Sequence, residues 1–180
     1  MLDLAKDYIN NDDYENRFEV IEFINKDILY YLKDLEDESL DLAIMKYTID
    51  HIKKADSLFR LLSKKLKKWA SMISSLGVTT KELKSISTNA RFLYNGKEFP
   101  KDETRKLKDW DSFTIKFFKK SWDPSQWYLK WAQTTKYYHS MEKYKNLANT
   151  YGFDIYLWDR KEILEDADWI DQEIMVLTKN

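Results

Sequence analysis

The sequence predicts an α+β fold: an N-terminal helical hairpin with a long second helix, followed by a small mixed domain of order α-β-β-β-α-β-α. Apolar residues recur every three or four positions from residue 45 to residue 73, which is typical of an amphipathic helix. An Asn-Gly pair lies between two short aromatic runs, and only 3 Gly and 2 Pro interrupt the 180 residues. We place the hairpin at residues 1–77 and the mixed domain at residues 78–180.

Two helices account for the first 77 residues. The first follows the capping residues Asp12 and Asp13, and the second begins at Ser39 and ends before Gly77. The apolar stripe of the first helix contains Phe18, Ile21, Ile24, Ile28, Tyr31 and Leu35. The stripe of the second contains Met45, Ile49, Ile52, Ala55, Phe59, Leu62, Leu66, Trp69 and Ile73. Two such stripes in sequence predict helices that pack against each other.

The mixed domain begins with a short helix, for which residues 79–82 have capping-box spacing. Residues 91–94 and 97–99 then form two strands of a hairpin around Asn95-Gly96. In a two-residue turn Tyr94 pairs with Lys97, and residues 113–118 alternate as a third strand.

A long helix, a fourth strand and a terminal helix complete the predicted order. Asp123 and Pro124 begin a helix that extends to about residue 150. Residues 153–158 alternate as the fourth strand. A capping box at residues 159–162 opens the terminal helix, whose apolar stripe contains Ile163, Ala167, Ile170, Ile174 and Leu177.

The charges are segregated along the chain although the net charge is only −1. Residues 1–50 carry −9, residues 51–150 carry +13 and residues 151–180 carry −5. A positive middle between two acidic ends generates a local field and predicts a polyanionic or acidic partner.

The composition excludes several classes of site. The chain has no Cys and only two His, so we expect no disulfide, no metal site and no cofactor. His51 and His139 are each interpreted as a packing or surface residue. Nucleophile-elbow, phosphate-loop and dinucleotide motifs are absent from the sequence. Without an apolar run of membrane-spanning length, the protein is predicted to be cytoplasmic.

Lysines interleaved with aromatic residues are the candidate binding residues. Aromatic rings can stack on bases or anchor a protein interface, while lysines neutralise phosphates or carboxylates. The predicted binding residues are Lys64, Lys65, Lys67, Lys68, Lys116, Lys119, Lys120, Trp122, Lys130 and Lys136. The alternative for the neighbouring aromatic residues is that Trp127, Trp131 and Tyr138, with Met141, form the buried stripe of the predicted long helix.

The predicted order after Gly77, a helix, three strands, a helix and a fourth strand, resembles the core of the restriction-endonuclease-like fold. Such a resemblance implies Mg²⁺ held by an Asp and by a Glu-x-Lys on the third strand. Here that strand contains Thr114, Ile115 and Lys116, with Asp109 and Asp111 before it. Threonine cannot replace the metal-binding carboxylate, so a nuclease of this kind is divergent.

These observations favour a non-enzymatic binding protein. We predict a phage or mobile-element protein that docks on a host nucleic-acid-handling protein or ribonucleoprotein and inhibits or modulates it. One alternative is a protein that binds DNA or RNA directly through the basic middle. The other is the divergent metal-dependent nuclease.

Overall fold

The computed structural model describes residues 22, 24–76, 82–84, 90–100, 103–118, 128–159 and 173–180. The chain divides into two compact units, Met1–Leu35 and Glu36–Asn180. In the first unit, helix α1 (Ile28–Asp34) begins at Asp27, whose carboxylate accepts hydrogen bonds from the Leu29 and Tyr30 amides. Asp27 therefore satisfies two amides that the first turn of a helix leaves without partners.

The described residues of the second unit form two further helices, a short 3-10 helix at Ile49–His51, and ten strands. The helices are α2 (Ala55–Lys65) and α3 (Met141–Thr150). The strands are β1 (Leu40–Met45), β2 (Leu66–Leu76), β3 (Glu82–Lys84), β4 (Ala90–Tyr94), β5 (Lys97–Glu98), β6 (Thr104–Lys106), β7 (Ser112–Phe118), β8 (Tyr128–Tyr137), β9 (Phe153–Asp159) and β10 (Glu173–Lys179).

The first sheet has the strand order β1-β2-β10-β9. β1 and β2 are parallel and are joined through α2, as in a βαβ unit. β10 lies antiparallel between β2 and β9. The sheet is therefore mixed, with β1, β2 and β9 running in one direction and β10 in the other.

Aromatic packing joins the two helices to this sheet. The ring of Phe59 in α2 stacks on Tyr144 in α3 at a centroid distance of 6.1 Å and meets the edge of Phe153 in β9 at 6.2 Å. The side chains of Met175 and Leu177 in β10 are fully buried. Burying such side chains contributes about 1.5–3 kcal/mol each, so the core under these helices is the main stabilising element of the first sheet.

The opposite face of the first sheet carries exposed apolar side chains. Ile44, Ile73, Val176 and Tyr156 lie in one row across the four strands. We call these four residues the open face. Ile44 is 68% exposed and Tyr156 is 55% exposed, so this row is much less buried than the face under the helices.

The second sheet has the order β5-β4-β7-β8, with all neighbours antiparallel. Its core consists of Phe99, Leu107, Phe113 and Tyr138. β3 and β6 pair as a separate two-stranded ribbon. The Asn95-Gly96 hairpin is present as predicted: Tyr94 pairs with Lys97, and Asn95 and Gly96 have the positive φ angles that this turn requires.

The predicted helical hairpin with a long second helix is wrong. Residues 40–45 and 66–76 are strands, and the helix between them covers only Ala55–Lys65. The buried residues of β2 from Ala70 onward alternate with period two, whereas Trp69 of the predicted stripe is 67% exposed. Pairing of β2 with β1 on one side and β10 on the other overrides the local helical pattern, because both partners are distant in sequence.

Three other predicted helices also differ from the structure. Tyr128–Tyr137 is strand β8, so the helix predicted from Asp123 begins only at Met141. Glu82–Lys84 is a strand in place of part of the short helix, and Glu173–Lys179 is a strand in place of the end of the terminal helix. Residues 79–81 and 160–172 lie outside the described residues.

The endonuclease-like core is not formed either. That core needs the three consecutive strands and the fourth strand in one sheet, but β4, β5 and β7 lie in the second sheet and β9 lies in the first. The third strand, β7, pairs with β4 and β8. The predicted order of strands was partly right, but their assignment to sheets was not.

Candidate functional site

In open α/β sheets, ligands bind beyond the carboxyl ends of the parallel strands. β1 and β2 are the parallel strands of the first sheet, so we expect a ligand site at their carboxyl ends. The amide of Tyr47, two residues after β1, donates a hydrogen bond of 2.8 Å to Ser75 Oγ near the end of β2. Tyr47 has a φ of +53° and an exposed ring. The turn after β1 is thus fixed to β2 and presents an aromatic side chain.

The 3-10 helix after this turn contacts the second sheet. His51 Nδ1 lies 2.8 Å from the carbonyl oxygen of Thr135 in β8. The carboxylate of Asp50 is 3.4 Å from the Lys136 ammonium group, and Asp50 is almost fully buried. The carboxyl end of β1 therefore meets the end of β8 through one ion pair and one backbone contact.

A buried histidine lies beside this junction. His139 Nε2 is 3.4 Å from the carbonyl oxygen of Ile52, directly after the 3-10 helix. The His139 ring meets Trp110 edge to face at 5.0 Å and Tyr144 at 5.8 Å. Burial lowers the pKa of the His139 imidazole below the ordinary histidine value. Burial also raises the pKa of the Tyr144 hydroxyl above the ordinary tyrosine value. Both side chains are therefore uncharged at neutral pH.

Trp110 lies in a turn that is held in place by two carboxylates. Asp111 accepts hydrogen bonds from the Tyr94 hydroxyl at 2.5 Å, from Asn95 Nδ2 at 3.0 Å and from the Lys108 amide at 2.7 Å. Burial of Asp111 opposes its ionisation, but these donors lower the pKa of its carboxyl group overall. Asp109 accepts hydrogen bonds from the amide and hydroxyl of Ser140, the N-cap of α3.

Of the predicted binding residues within the described ranges, Lys136 alone lies at this junction. Lys65 and Lys67 are paired with Asp37 and Asp41 at 2.7 Å, Lys68 lies over the Trp69 ring, and Lys64 is exposed at the end of α2. Lys116 and Lys130 are in β7 and β8. Lys119, Lys120 and Trp122 lie outside the described residues. That these residues bind a host protein, a ribonucleoprotein or nucleic acid stays a prediction.

Local sequence patterns indicate few of the residues that meet at this junction. His51 and His139 were interpreted as packing or surface residues, and Asp50 and Trp110 were not singled out as site residues. One local signal was available: Ser140 begins α3, which places His139 in the turn just before a helix. The contact between residues 50–52 and residues 135–139 could not be predicted, because it joins segments more than 80 residues apart.

Metal and nucleotide sites need clustered His, Asp and Glu side chains or glycines that allow a close approach to the backbone. In the described part of the chain, His, Asp and Glu side chains form no group of three that could hold a metal ion. Gly96 lies in a hairpin turn and Gly152 follows α3, and a Cβ added to either would meet nothing within 4 Å. Neither glycine therefore supports a close approach of another group to the backbone. No helix among the described residues is long and apolar enough to cross a membrane.

Comparison with known proteins shows similarity in fold and not in sequence. No protein-family model matches the chain, and no curated protein matches it. An S-adenosylmethionine-dependent methyltransferase from Clostridium acetobutylicum has a TM-score of 0.56 and 11% identity, over 99% of this chain and 71% of that one. A methyltransferase of the same kind from Mesorhizobium loti has a TM-score of 0.53 and 17% identity, over 98% and 75%. The PH0226 protein from Pyrococcus horikoshii has a TM-score of 0.55 and 16% identity, over 100% and 69%.

These similarities overturn the predicted function as well as the predicted hairpin. A non-enzymatic inhibitor encoded by a phage or mobile element was expected, but the solved structures that share the fold include methyltransferases. The mixed first sheet, with a parallel pair joined by a helix, agrees with a Rossmann-like arrangement. At 11–17% identity the likeness concerns the fold, and by fold this chain is similar to S-adenosylmethionine-dependent methyltransferases.

Proposed function

We propose that this chain catalyses transfer of a methyl group from S-adenosylmethionine to a small acceptor. The observation that carries the proposal is the likeness in fold to two methyltransferases at TM-scores above 0.5, over nearly the whole chain. The junction at the carboxyl end of β1 supports it, because this is where a doubly wound sheet binds its ligand.

The described residues at the junction suit the acceptor better than the donor. S-adenosylmethionine contains an adenosine, and doubly wound proteins hold nucleotides on a glycine-rich turn that opens a helix. Gly96 and Gly152, the glycines within the described ranges, do not open a helix and line no close approach. We therefore assign the described residues to the acceptor side and derive no step through the donor.

The acceptor side combines buried charge with aromatic surface. The Asp50 and Lys136 ion pair fixes polar groups below the surface, and Trp110 presents a half-exposed indole beside His139. A binding site of this kind orients a small molecule by a few polar groups and excludes water with its rings. Such orientation is what a transfer reaction needs, since it replaces a bimolecular encounter by a fixed geometry.

Two measurements test the proposed function. The first is calorimetric binding of S-adenosylmethionine to the full chain. The second is conversion of the donor to S-adenosylhomocysteine in the presence of mixed small amines, phenols and imidazoles. We expect binding and acceptor-dependent conversion, and we expect Lys136→Met to reduce conversion about tenfold or more, because a charge-assisted contact contributes about 1.5–3 kcal/mol.

The matched control is Lys68→Met, which removes the same charge from an exposed lysine that lies over Trp69. Conversion by this variant should equal that of the unaltered chain. Melting curves of both variants separate loss of activity from loss of folding. Absence of donor binding together with absence of conversion would contradict the proposal, and so would equal loss of conversion in both variants.

A further inference from the structure

His139 has one ring nitrogen whose chemistry is fixed and one that has no partner in the described structure. The imidazole is 4% exposed, and its Nε2 faces the carbonyl oxygen of Ile52, which can only accept a hydrogen bond. Nε2 therefore carries the hydrogen of the neutral ring, and Nδ1 carries a lone pair. Among the described residues no group forms a hydrogen bond with Nδ1. A buried acceptor without a partner costs free energy, so each such group calls for an explanation, and a catalytic role is one.

The charges that face His139 come from three directions and balance in number. Asp109, in the turn beside Trp110, and Asp50, in the 3-10 helix, favour its protonated form; Lys143, in α3, opposes it. Lys136 in β8 is paired with Asp50. Burial is the largest influence and lowers the pKa of His139, so the imidazole is a neutral base near pH 7. Two carboxylates and two ammonium groups leave the surroundings without a strong preference for a charged ligand.

Trp110 packs against the buried His139 and is itself partly exposed. Its ring is perpendicular to the imidazole at 5.0 Å, its side chain is 45% exposed, and Lys143 lies 5.2 Å from the ring centre. The φ angle of Trp110 is +77°, which is unfavourable for a large side chain, and the Asp111 hydrogen bonds hold the turn in this conformation. Tyr144 closes the other side of the imidazole.

We propose that His139 Nδ1 accepts the proton of the group that is methylated, and that an acceptor reaches it when the Trp110 indole moves aside. This inference rests on the proposed function. The acceptor is an uncharged planar molecule with an N–H or O–H group, since the site offers ring faces and no net charge. In the proton transfer, the N–H or O–H bond breaks, its electron pair stays on the acceptor atom, and the proton bonds to Nδ1.

Nitrogen NMR of the ¹⁵N-labelled full chain tests this inference without the methyl donor. Phenol and imidazole are the probes, and anisole and 1-methylimidazole are matched controls that lack the O–H or N–H group. We expect phenol and imidazole to shift the Nδ1 signal of His139 toward the hydrogen-bonded position, and we expect the methylated controls to leave it unchanged. A Nδ1 signal that moves with neither probe, or moves equally with the controls, overturns the inference.

Two variants extend the test. His139→Gln should lower conversion of a working acceptor about 100-fold or more, since a general base contributes a factor of about 10²–10⁴. It should also remove the dependence of conversion on the ionisation of His139, whose pKa burial places below the ordinary histidine value. Trp110→Ala should speed the reaction of His139 with diethyl pyrocarbonate. This second test does not depend on whether the His139→Gln variant folds. An unchanged pH profile in His139→Gln, or unchanged reactivity in Trp110→Ala, overturns the inference.

The two proposals fail in different ways. In one outcome the chain transfers a methyl group to an acceptor, but binding of that acceptor does not shift the Nδ1 signal of His139. The proposed function then stands, and His139 is not the group that accepts the proton. A Nδ1 shift with phenol but no binding of S-adenosylmethionine keeps the proton-accepting site and contradicts methyl transfer.

Discussion

Asp111 is a single carboxylate that connects the end of β4 to the turn at residues 108–111. Replacing it by Asn removes one acceptor oxygen and the charge that three donors share. We expect Asp111→Asn to lower the free energy of unfolding by about 1–3 kcal/mol, the cost of leaving a partly buried donor without its acceptor. Because the pKa of Asp111 lies below 3.8, this contribution is present above that pH and is lost as the pH falls below it.

Urea denaturation measures the Asp111 effect, and Asp41→Asn is its control. Asp41 forms an exposed ion pair with Lys67, in which the Asp41 side chain is 78% exposed. Surface pairs of this kind contribute about 0–1 kcal/mol. Equal losses in the two variants would show that the Asp111 network does not stabilise the turn.

Few of the individual residues of the candidate site could be predicted from the sequence. Lys136 was selected for its charge among aromatic residues, and it does lie at the junction. His139 was set aside because a lone histidine usually packs in a core, and its burial agrees with that view. The lack of a described hydrogen-bond partner at Nδ1 depends on where Ile52 and Trp110 lie, and no local sequence pattern predicts these positions.

Strand β2 shows how an element can satisfy two periodicities. Between Leu40 and Leu42 in β1, the partner residues in β2 advance from Leu66 to Ser71, so residues 67–70 form a bulge. Trp69 in this bulge is 67% exposed and has a φ of +68°. The helical stripe assigned Trp69 to the core, but the bulge turns it outward.

Substitution of Trp69 distinguishes the two interpretations. Trp69→Gly should leave the free energy of unfolding within about 1 kcal/mol of the unaltered chain, because relief of the left-handed conformation offsets the greater freedom of Gly in the unfolded state. Met72→Ala, at a fully buried position of the same strand, should cost about 2–5 kcal/mol. Chemical denaturation provides both values, and a larger loss at Trp69 than at Met72 would contradict the outward position of the Trp69 side chain.

Elements with strong local signals were predicted, and elements that depend on distant partners were not. The Asn95-Gly96 turn, β7 and β9 have short-range patterns that the structure reproduces. β1 and β2 were interpreted as helix because α2 between them has a true helical stripe that extends by chance into both strands. The strand at Glu173–Lys179 was missed for the same reason, since its partners are β2 and β9.

At the scale of the whole molecule, the ion pair of Asp50 and Lys136 links the first sheet to the second. Side-chain exposures of 4% for Asp50 and 19% for Lys136 place the pair away from bulk water. Removing one partner of a buried pair costs about 3–5 kcal/mol, whereas removing both costs less. We therefore expect Lys136→Met to destabilise the chain more than Asp50→Asn together with Lys136→Met does.

A double-mutant cycle over these two positions measures their coupling. Thermal and urea unfolding of the two single variants and the double variant give the interaction free energy directly. A coupling indistinguishable from zero would mean that the Asp50 and Lys136 pair does not hold the two sheets together, and that packing and the contacts of His51 and His139 do.

The central position of β10 has a consequence for how the protein is made. During synthesis the chain leaves the ribosome at about 5–20 residues per second, so β4 to β8 are available before residues 173–179 emerge. β10 separates β2 from β9, and its pairing with β2 joins residues about 100 positions apart, a slow kind of contact to form. The second sheet can thus fold during translation. The first sheet closes only afterwards, and until then Met72 and Phe153, which become buried in its core, are open to chaperones.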